Sequence, residues 1–244
     1  MFLQRGLLIH YLVTLPIGLL WLNTPAVTHL LIKFGQPIEL SDAAASYLAV
    51  LTFGLWGHTL MFTLTPFCQA LSLAYLPATV AFLVSLVHVL LNVLFIDKLE
   101  LGYIGAAYAT ATTQILGPVL LYFYAFWTKR GRRAIAGRIG GDGKDVSLFK
   151  HFVGSMRDCG GLWQYVSLAA PSLISISEWW ASEIAIFWAG STALSSTPEV
   201  CISAMTIYQS VNSSCFMFAV GCSVAVSTRV GNWLGMGESG DAKR

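Results

Sequence analysis

Long apolar runs, separated by polar connections, make up most of the chain. A helix needs about 20 mostly apolar residues to cross the hydrocarbon core of a bilayer. Six runs come close to or exceed that length, and we predict a transmembrane helix in each of them: Gly6 to Leu22, Ala43 to Phe67, Pro77 to Ile96, Gly102 to Trp127, Trp163 to Gly190 and Val200 to Val226. Because these runs leave little material for a soluble domain, the pattern predicts an all-α membrane protein with six transmembrane helices.

The composition supports the same fold class. Of the 244 residues, 56% are hydrophobic and 11% are charged. Soluble domains average roughly 45 to 50% apolar and about 25% charged residues. The composition therefore argues against a soluble protein and indicates one whose main partner is the lipid bilayer.

The positions of the basic residues predict the topology, because Lys and Arg concentrate in the short cytoplasmic loops of membrane proteins. Six alternating spans with the connection between the fourth and fifth in the cytoplasm place twelve of the fourteen basic residues inside and only Lys33 and Lys98 outside. Both termini are then cytoplasmic. The pattern does not distinguish the plasma membrane from a vacuolar or other organelle membrane.

The connections predict how the spans are grouped. The predicted outside connections, at residues 23–42, 97–101 and 191–199, are short and polar. Residues 128–162 are charged and rich in glycine, and such a stretch cannot bury enough apolar surface to fold alone. We therefore predict four spans in residues 1–127, a cytoplasmic linker at 128–162, and two spans with a cytoplasmic tail in residues 163–244. This unequal division suggests a piece of a larger protein.

Small residues predict close packing of the fourth span. Gly102, Gly105, Ala106, Ala109 and Thr113 recur at helical spacing and form one near-continuous face. In lipid, faces of this kind allow the backbones of two helices to approach closely.

Ionisable residues inside the predicted spans are the first candidates for function. An Asp or a basic residue at the centre of a membrane helix costs at least about 2.5 to 3.5 kcal/mol on insertion scales. Because of this cost, a carboxylate inside a span is by default a candidate for function. The candidates are His10, His58, His88, Glu178 and Glu183. The ordinary interpretation of each histidine is a ring that hydrogen-bonds to a neighbouring helix, and His88, with Asn92 four residues later, suits such a contact.

The two glutamates lie on different faces of one predicted helix. Glu178 falls on a narrow polar stripe with Ser172, Ser175 and Ser182, whereas Glu183 is rotated from Glu178 by about 140°. They cannot share a proton side by side, so each needs its own environment. A buried carboxylate can exchange a proton near neutral pH, and in its charged form it attracts an organic cation. Trp179 and Trp180 would add aromatic faces for a cation, with lipid packing as the alternative.

Motifs of soluble enzymes are absent from the sequence, which contains no HExxH, GxSxG or Walker loop. The five cysteines have no paired spacing, so neither a disulfide framework nor a zinc site is implied. We expect no enzymatic activity, no cofactor, no metal site and no nucleic-acid partner. An intramembrane enzyme that uses Glu178 with His58 or His88 is the alternative from a different class.

Six motifs, in this order along the chain, carry a resemblance to a known family: LQRGLLI from Leu3, PFCQAL from Pro66, HVLLN from His88, LGYIGAAYATATTQ from Leu101, EWWASE from Glu178 and STRVGNWLGMG from Ser227. With them the chain resembles part of a multidrug and toxic compound extrusion (MATE) transporter of the eukaryotic type. The resemblance implies helices three to eight of a twelve-helix antiporter built from two six-helix lobes.

The resemblance also implies a function and a site. It implies a secondary active antiporter that exports organic cations or other amphipathic compounds in exchange for H⁺ or Na⁺ by alternating access. The alternative is a truncated, transport-incompetent chain that inserts into the membrane or associates with another half. The implied residues of proton coupling and substrate binding are Glu178, Glu183, Trp179 and Ser182. Relatives often have an aromatic residue where Ser182 stands, which would alter the substrate pocket.

Overall fold

A computed structural model describes residues 2–139, 158–190 and 197–237, and it contains helices and no strands in those ranges. The helices are α1 (Phe2–Leu22), α2 (Thr24–Lys33), α3 (Ile38–Ala70), α4 (Tyr75–Asn92), α5 (Gly102–Tyr122), α6 (Lys129–Ile139), α7 (Cys159–Ala189) and α8 (Pro198–Gly235). Two of them continue as π-helices, α4 over Val93–Lys98 and α5 over Phe123–Trp127.

All six predicted spans coincide with long helices. Five helical segments in the described ranges are long and apolar enough to cross a membrane: Leu3–Leu22, Ile38–Ala70, Tyr75–Lys98, Gly102–Trp127 and Glu199–Gly235. The fifth predicted span, Trp163 to Gly190, corresponds to α7, which has 31 residues but is not among those five. Glu178 and Glu183 both lower the hydropathy of α7. The predicted fold class, an all-α membrane protein, is confirmed.

Two of the predicted connections contain helices. Within the predicted outside turn Asn23 to Asp42, the ten residues of α2 are helical, with Val27 buried. Pro25 lies in the first turn of α2, where its missing N–H leaves no helical hydrogen bond unmade. The predicted linker begins with α6, in which Ile135 and Ala136 are buried. Residues 129–139 are therefore helical because Ile135 packs into a core formed by other helices, which the linker's own composition does not reveal. Residues 140–157 lie outside the described part of the chain.

The helices form two compact units. The first comprises Met1–Thr24 and Ala45–Tyr165. Its core brings together buried side chains from the first half of α1, the end of α3, the first half of α4, the end of α5 with its π-helix, and α6: Leu7, Leu64, Cys68, Leu76, Val80, Leu121, Ala125, Phe126 and Ile135. This core explains why α6 is ordered.

Glycines allow α3 and α5 to pack backbone against backbone. A Cβ atom built on Gly57 would lie 2.3 Å from the carbonyl oxygen of Gln114, and one on Gly54 would lie 2.7 Å from the Cα atom of Ala111. Of the small residues that were predicted to form a packing face on α5, Gly105, Ala109 and Thr113 are buried, whereas Gly102 is exposed.

The second compact unit comprises Pro25–Ala44 and Val166–Arg244. It includes α2, the start of α3, most of α7 and all of α8. Most of the described side chains of α8 are exposed, and Phe218 is 81% exposed. Among the described side chains of this helix, Gln209 is the one that is buried, at 8% exposed.

Candidate functional site

The helix that carries the candidate residues, α7, begins at a polar contact in the first unit. The carboxylate of Asp158 accepts a hydrogen bond from the backbone N–H of Gly161 at 3.0 Å, which is the geometry of an N-cap. The Arg5 guanidinium pairs with the other carboxylate oxygen of Asp158. The hydrogen bond from Gly161 and then the one from Arg5 lower the pKa of Asp158. A charged Asp158 therefore fixes the first turn of α7 to α1.

The other end of α7 has contacts of its own, all within the second unit. The side-chain amide of Gln36 donates a hydrogen bond to the backbone carbonyl of Phe187 at 2.7 Å. That carbonyl belongs to the last turn of α7, where the backbone carbonyls have no N–H partner within the helix. The rings of Phe34 and Phe187 pack edge to face with their centroids 5.9 Å apart. Gln36 thus acts as a side-chain cap for the end of the helix.

A cavity of about 350 Å³ lies beside this end of α7. Its walls come from the end of α2, the connection to α3, the start of α3, α7 and α8: Leu31, Gln36, Leu40, Ser41, Ala44, Glu183, Ile186, Phe187 and Ile202. Glu183 supplies the single carboxylate among these residues, and aliphatic side chains supply most of the surface. A cavity of this size is within the usual range for small-molecule sites, and a few polar groups among apolar walls are typical of them.

The predicted site residues differ in their position relative to this cavity. Glu183 lines the cavity, and Ser182 beside it is half-buried. Trp180, at 61%, is exposed. Glu178 and Trp179 lie on the helical backbone of α7, but their side chains are outside the described part of the structure.

The cavity also contains residues that sequence reasoning missed. Gln36 and Ser41 were assigned to an outside turn and received no role. Both are buried: Gln36 caps α7, and the Ser41 hydroxyl donates to the carbonyl of Pro37 at 2.8 Å. A glutamine flanked by apolar and turn residues in IKFGQPIEL was the available signal, but the sequence does not indicate which helix it contacts.

The histidines of the spans mostly have structural partners. His88 Nδ1 lies 3.3 Å from the hydroxyl of Thr113 on α5, so the predicted polar contact between helices is found, with Thr113 as its partner. The ring of His58 packs edge to face on Phe62, its neighbour on α3, and lines a second cavity of about 250 Å³ in the first unit. His10 contacts both α3 and α7.

Metal-binding residues do not cluster in the described ranges, where no group of three or more His, Cys, Asp or Glu side chains comes together. The chemistry that the cavity offers is therefore that of a single carboxylate, the Gln36 amide and apolar walls. Such a set attracts a positively charged ligand that also carries hydrocarbon surface.

Fold and cavity together define the class: a multipass all-α membrane protein with one carboxylate in a largely apolar cavity. Comparisons with known proteins make this class more specific. No family model matches the chain. The chain is 29% identical to Multidrug and toxin extrusion protein 1 of Xenopus tropicalis and 32% identical to the protein of that name from Oryctolagus cuniculus, in each case over 99% of this chain. This chain is also 29% identical, over 99% of its own residues, to Protein DETOXIFICATION 49 of Arabidopsis thaliana.

The chain therefore matches part of a MATE transporter. It spans 38%, 39% and 44% of the length of these three relatives, respectively. The crystal structure of the eukaryotic MATE transporter AtDTX14 matches 99% of this chain and 49% of that chain, with a TM-score of 0.72 and 24% identity. That likeness confirms the fold, and the resemblance to part of a MATE-type chain is confirmed as well.

Proposed function

We propose that this chain forms part of a secondary active antiporter that exports organic cations or other xenobiotics in exchange for H⁺ or Na⁺. The observation that carries the proposal is the cavity at Glu183 in a chain that matches MATE transporters along 99% of its length. The relatives are transporters, and we assign no enzymatic activity to the chain.

The cavity suggests how a cation would be held. The Glu183 carboxylate, whose side chain is exposed at the cavity, attracts the positive charge. Leu31, Ile186 and Ile202 would cover the hydrocarbon part of the same ligand. The cavity thus favours amphipathic cations over small inorganic ones.

Glu178 is the proposed site of proton coupling, with Trp179 and Ser182 beside it as substrate contacts. Glu178 and Glu183 are separated by about 140° around the helix, so they meet different surroundings. One carboxylate can then exchange protons while the other binds the cation. Alternating access would open the site that holds both residues first to one side of the membrane and then to the other.

The proposed topology follows the basic residues. Residues 1–127 form four helices of an N-terminal lobe, 128–162 a cytoplasmic connection between lobes, and 163–244 two helices of a C-terminal lobe with a cytoplasmic tail. Both termini are cytoplasmic in this arrangement, and the membrane is the plasma membrane or that of an organelle.

Transport by proteoliposomes tests the proposal. The chain is reconstituted, a pH gradient or a Na⁺ gradient is imposed, and uptake of a fluorescent organic cation is followed. We expect Glu178→Gln to abolish the dependence on the gradient and Glu183→Gln to raise the KM for the cation. Glu199→Gln is the matched control, because Glu199 is an exposed carboxylate in the first turn of α8.

Three outcomes decide the matter. Uptake that is gradient-dependent and sensitive to both substitutions supports the proposal. Uptake that is unchanged by both substitutions contradicts the roles of the glutamates. A wild-type chain that inserts into the vesicles and carries no cation would favour the alternative, a transport-incompetent chain that associates with another half.

A further inference from the structure

His10 links three helices of the first unit through hydrogen bonds. Its Nδ1 atom lies 2.9 Å from the hydroxyl of Thr63 on α3. Its Nε2 atom lies 3.4 Å from the hydroxyl of Tyr165, near the start of α7. A Cβ atom on Gly6 would lie 3.0 Å from that Tyr165 hydroxyl, so α7 approaches α1 closely at this point. Both ring nitrogens of His10 therefore have an oxygen within reach.

The direction of these hydrogen bonds follows from the second partner of the Thr63 hydroxyl, the backbone carbonyl of Thr59. The Thr63 hydroxyl donates to the backbone carbonyl of Thr59 at 3.0 Å. A hydroxyl has one proton, so Thr63 can only accept from His10. The neutral ring must then carry its proton on Nδ1, and Nε2 must accept from the Tyr165 hydroxyl. This tautomer is the less common one for a free imidazole.

The same oxygen atoms also suit the doubly protonated ring. A proton added at Nε2 turns that nitrogen into a donor, and the Tyr165 oxygen can accept after its hydroxyl hydrogen rotates away. Nδ1 continues to donate to Thr63. No heavy atom has to move, and the new hydrogen bond is charge-assisted, hence stronger than the one it replaces.

We propose that His10 is a proton-binding site, distinct from Glu178 and Glu183, whose occupancy controls how firmly Tyr165 holds the start of α7. The ligand is the proton. Thr63 and Tyr165 position the His10 ring that binds it, and the contact at Tyr165 transmits its binding to α7. Tyr165 precedes Glu178 by thirteen residues, or about 20 Å along a helix, so any influence on that carboxylate passes through the helix itself.

The charges around His10 allow this role. From α7, Tyr165 is the titratable group in contact, and Asp158 lies two helical turns before it. From α3, Thr63 and Thr59 are uncharged, and His58 lies five residues before Thr63 with its ring against Phe62. On α1, Arg5 precedes His10 by five residues, and the Arg5 guanidinium pairs with Asp158. The positive charge nearest in sequence to His10 therefore has its own counter-ion.

Nuclear magnetic resonance of the whole chain in detergent micelles tests the proposal with ¹⁵N-labelled histidine and ¹³Cζ-labelled tyrosine. His10→Gln, whose amide retains a donor and an acceptor, identifies the His10 signal. Titration between pH 9 and pH 4 should show an Nδ1–H ring that gains a second proton at Nε2. The Tyr165 signal should move over the same pH interval in the wild type and stay constant in His10→Gln.

Thr63→Val supplies the matched variant, because valine has nearly the shape of threonine and cannot accept from Nδ1–H. The neutral ring should then change to the Nε2–H tautomer. An Nε2–H ring in the wild type, or a ring that keeps a single proton down to pH 4, would overturn the proposal even if Thr63→Val does not fold. No transport is measured, so the result is independent of the function proposed above.

Discussion

Gly190, at the turn that ends α7, has no room for a side chain. A Cβ atom there would lie 2.3 Å from Cδ1 of Ile202 and 2.7 Å from Oε1 of Gln36. Carbon atoms in favourable contact are about 3.5 to 4.0 Å apart, so Gly190→Ala would have to displace Ile202 by at least about 1 Å. Ile202 lines the cavity with Glu183, and Gln36 caps α7.

The cost can be worked from these contacts. An extra methyl group in a well-packed site costs about 1 to 3 kcal/mol. Displacement of Gln36 would also weaken its hydrogen bond to the Phe187 carbonyl, which is worth about 0.5 to 1.5 kcal/mol. Because the ends of Ile202 and Gln36 can adjust in part, we expect a net loss of about 2 kcal/mol. A lower melting temperature and weaker binding of an organic cation should accompany it.

Thermal melting of the purified chain in detergent measures the stability, and equilibrium binding of a fluorescent cation measures the cavity. Gly221→Ala is the control, because a Cβ atom at Gly221 in the interior of α8 meets nothing within 4 Å. Alanine is favoured over glycine inside a helix by about 0.8 to 1.0 kcal/mol, so this variant should melt slightly higher than the wild type. A Gly190→Ala variant that melts no lower than the wild type and binds the cation equally well would refute the close packing of this turn.

Two further predictions concern the first unit. Gly57→Ala should prevent the close packing of α3 on α5 and reduce the yield of folded protein in detergent. The new Cβ atom would lie 2.3 Å from the carbonyl oxygen of Gln114, which is a backbone atom and cannot rotate away. Gly117→Ala is the control and should be tolerated, because its Cβ atom would lie 3.9 Å from Val84. Asp158→Asn keeps a helix cap but removes the charge that pairs with Arg5. Because the pKa of Asp158 is lower in the folded state, the contribution of its charge is complete above the unfolded pKa of about 3.9 and is lost as the pH falls below it. The melting temperatures of wild type and Asp158→Asn should therefore differ at pH 7 and converge in acid, and a constant difference would contradict the pairing.

The spans were predictable because the bilayer imposes a length. An apolar run of about 20 residues has few other interpretations, and each of the six runs forms a long helix. The short helices were not predictable by this criterion. At ten residues α2 is too short to span, and α6 is rich in basic residues, so its burial of Ile135 depends on a core formed by residues far away in the chain.

The candidate site was predictable only where a residue was costly by itself. Glu183 stood out because a carboxylate in an apolar helix is expensive. Gln36 and Ser41 did not, because neutral polar residues near the end of a span are ordinary. The role of Gln36 depends on its contact with α7 across about 150 residues of chain, and one sequence contains no record of that contact. Thr63, the partner of His10, was missed for the same reason.

The contacts of α7 suggest where a movement of the two glutamates would have to begin. Its first turns are fixed by Arg5 on Asp158 and by His10 on Tyr165, and its last turn is fixed by Gln36 on Phe187. Between these ends lie Pro171, which removes one helical hydrogen bond, and Glu178. While each end keeps its own contacts, the residues between them can shift by bending near Pro171, where a helical hydrogen bond is missing. A proton on His10 would strengthen the hold on the first turns, so bending near Pro171 or release at Gln36 would become the easier route.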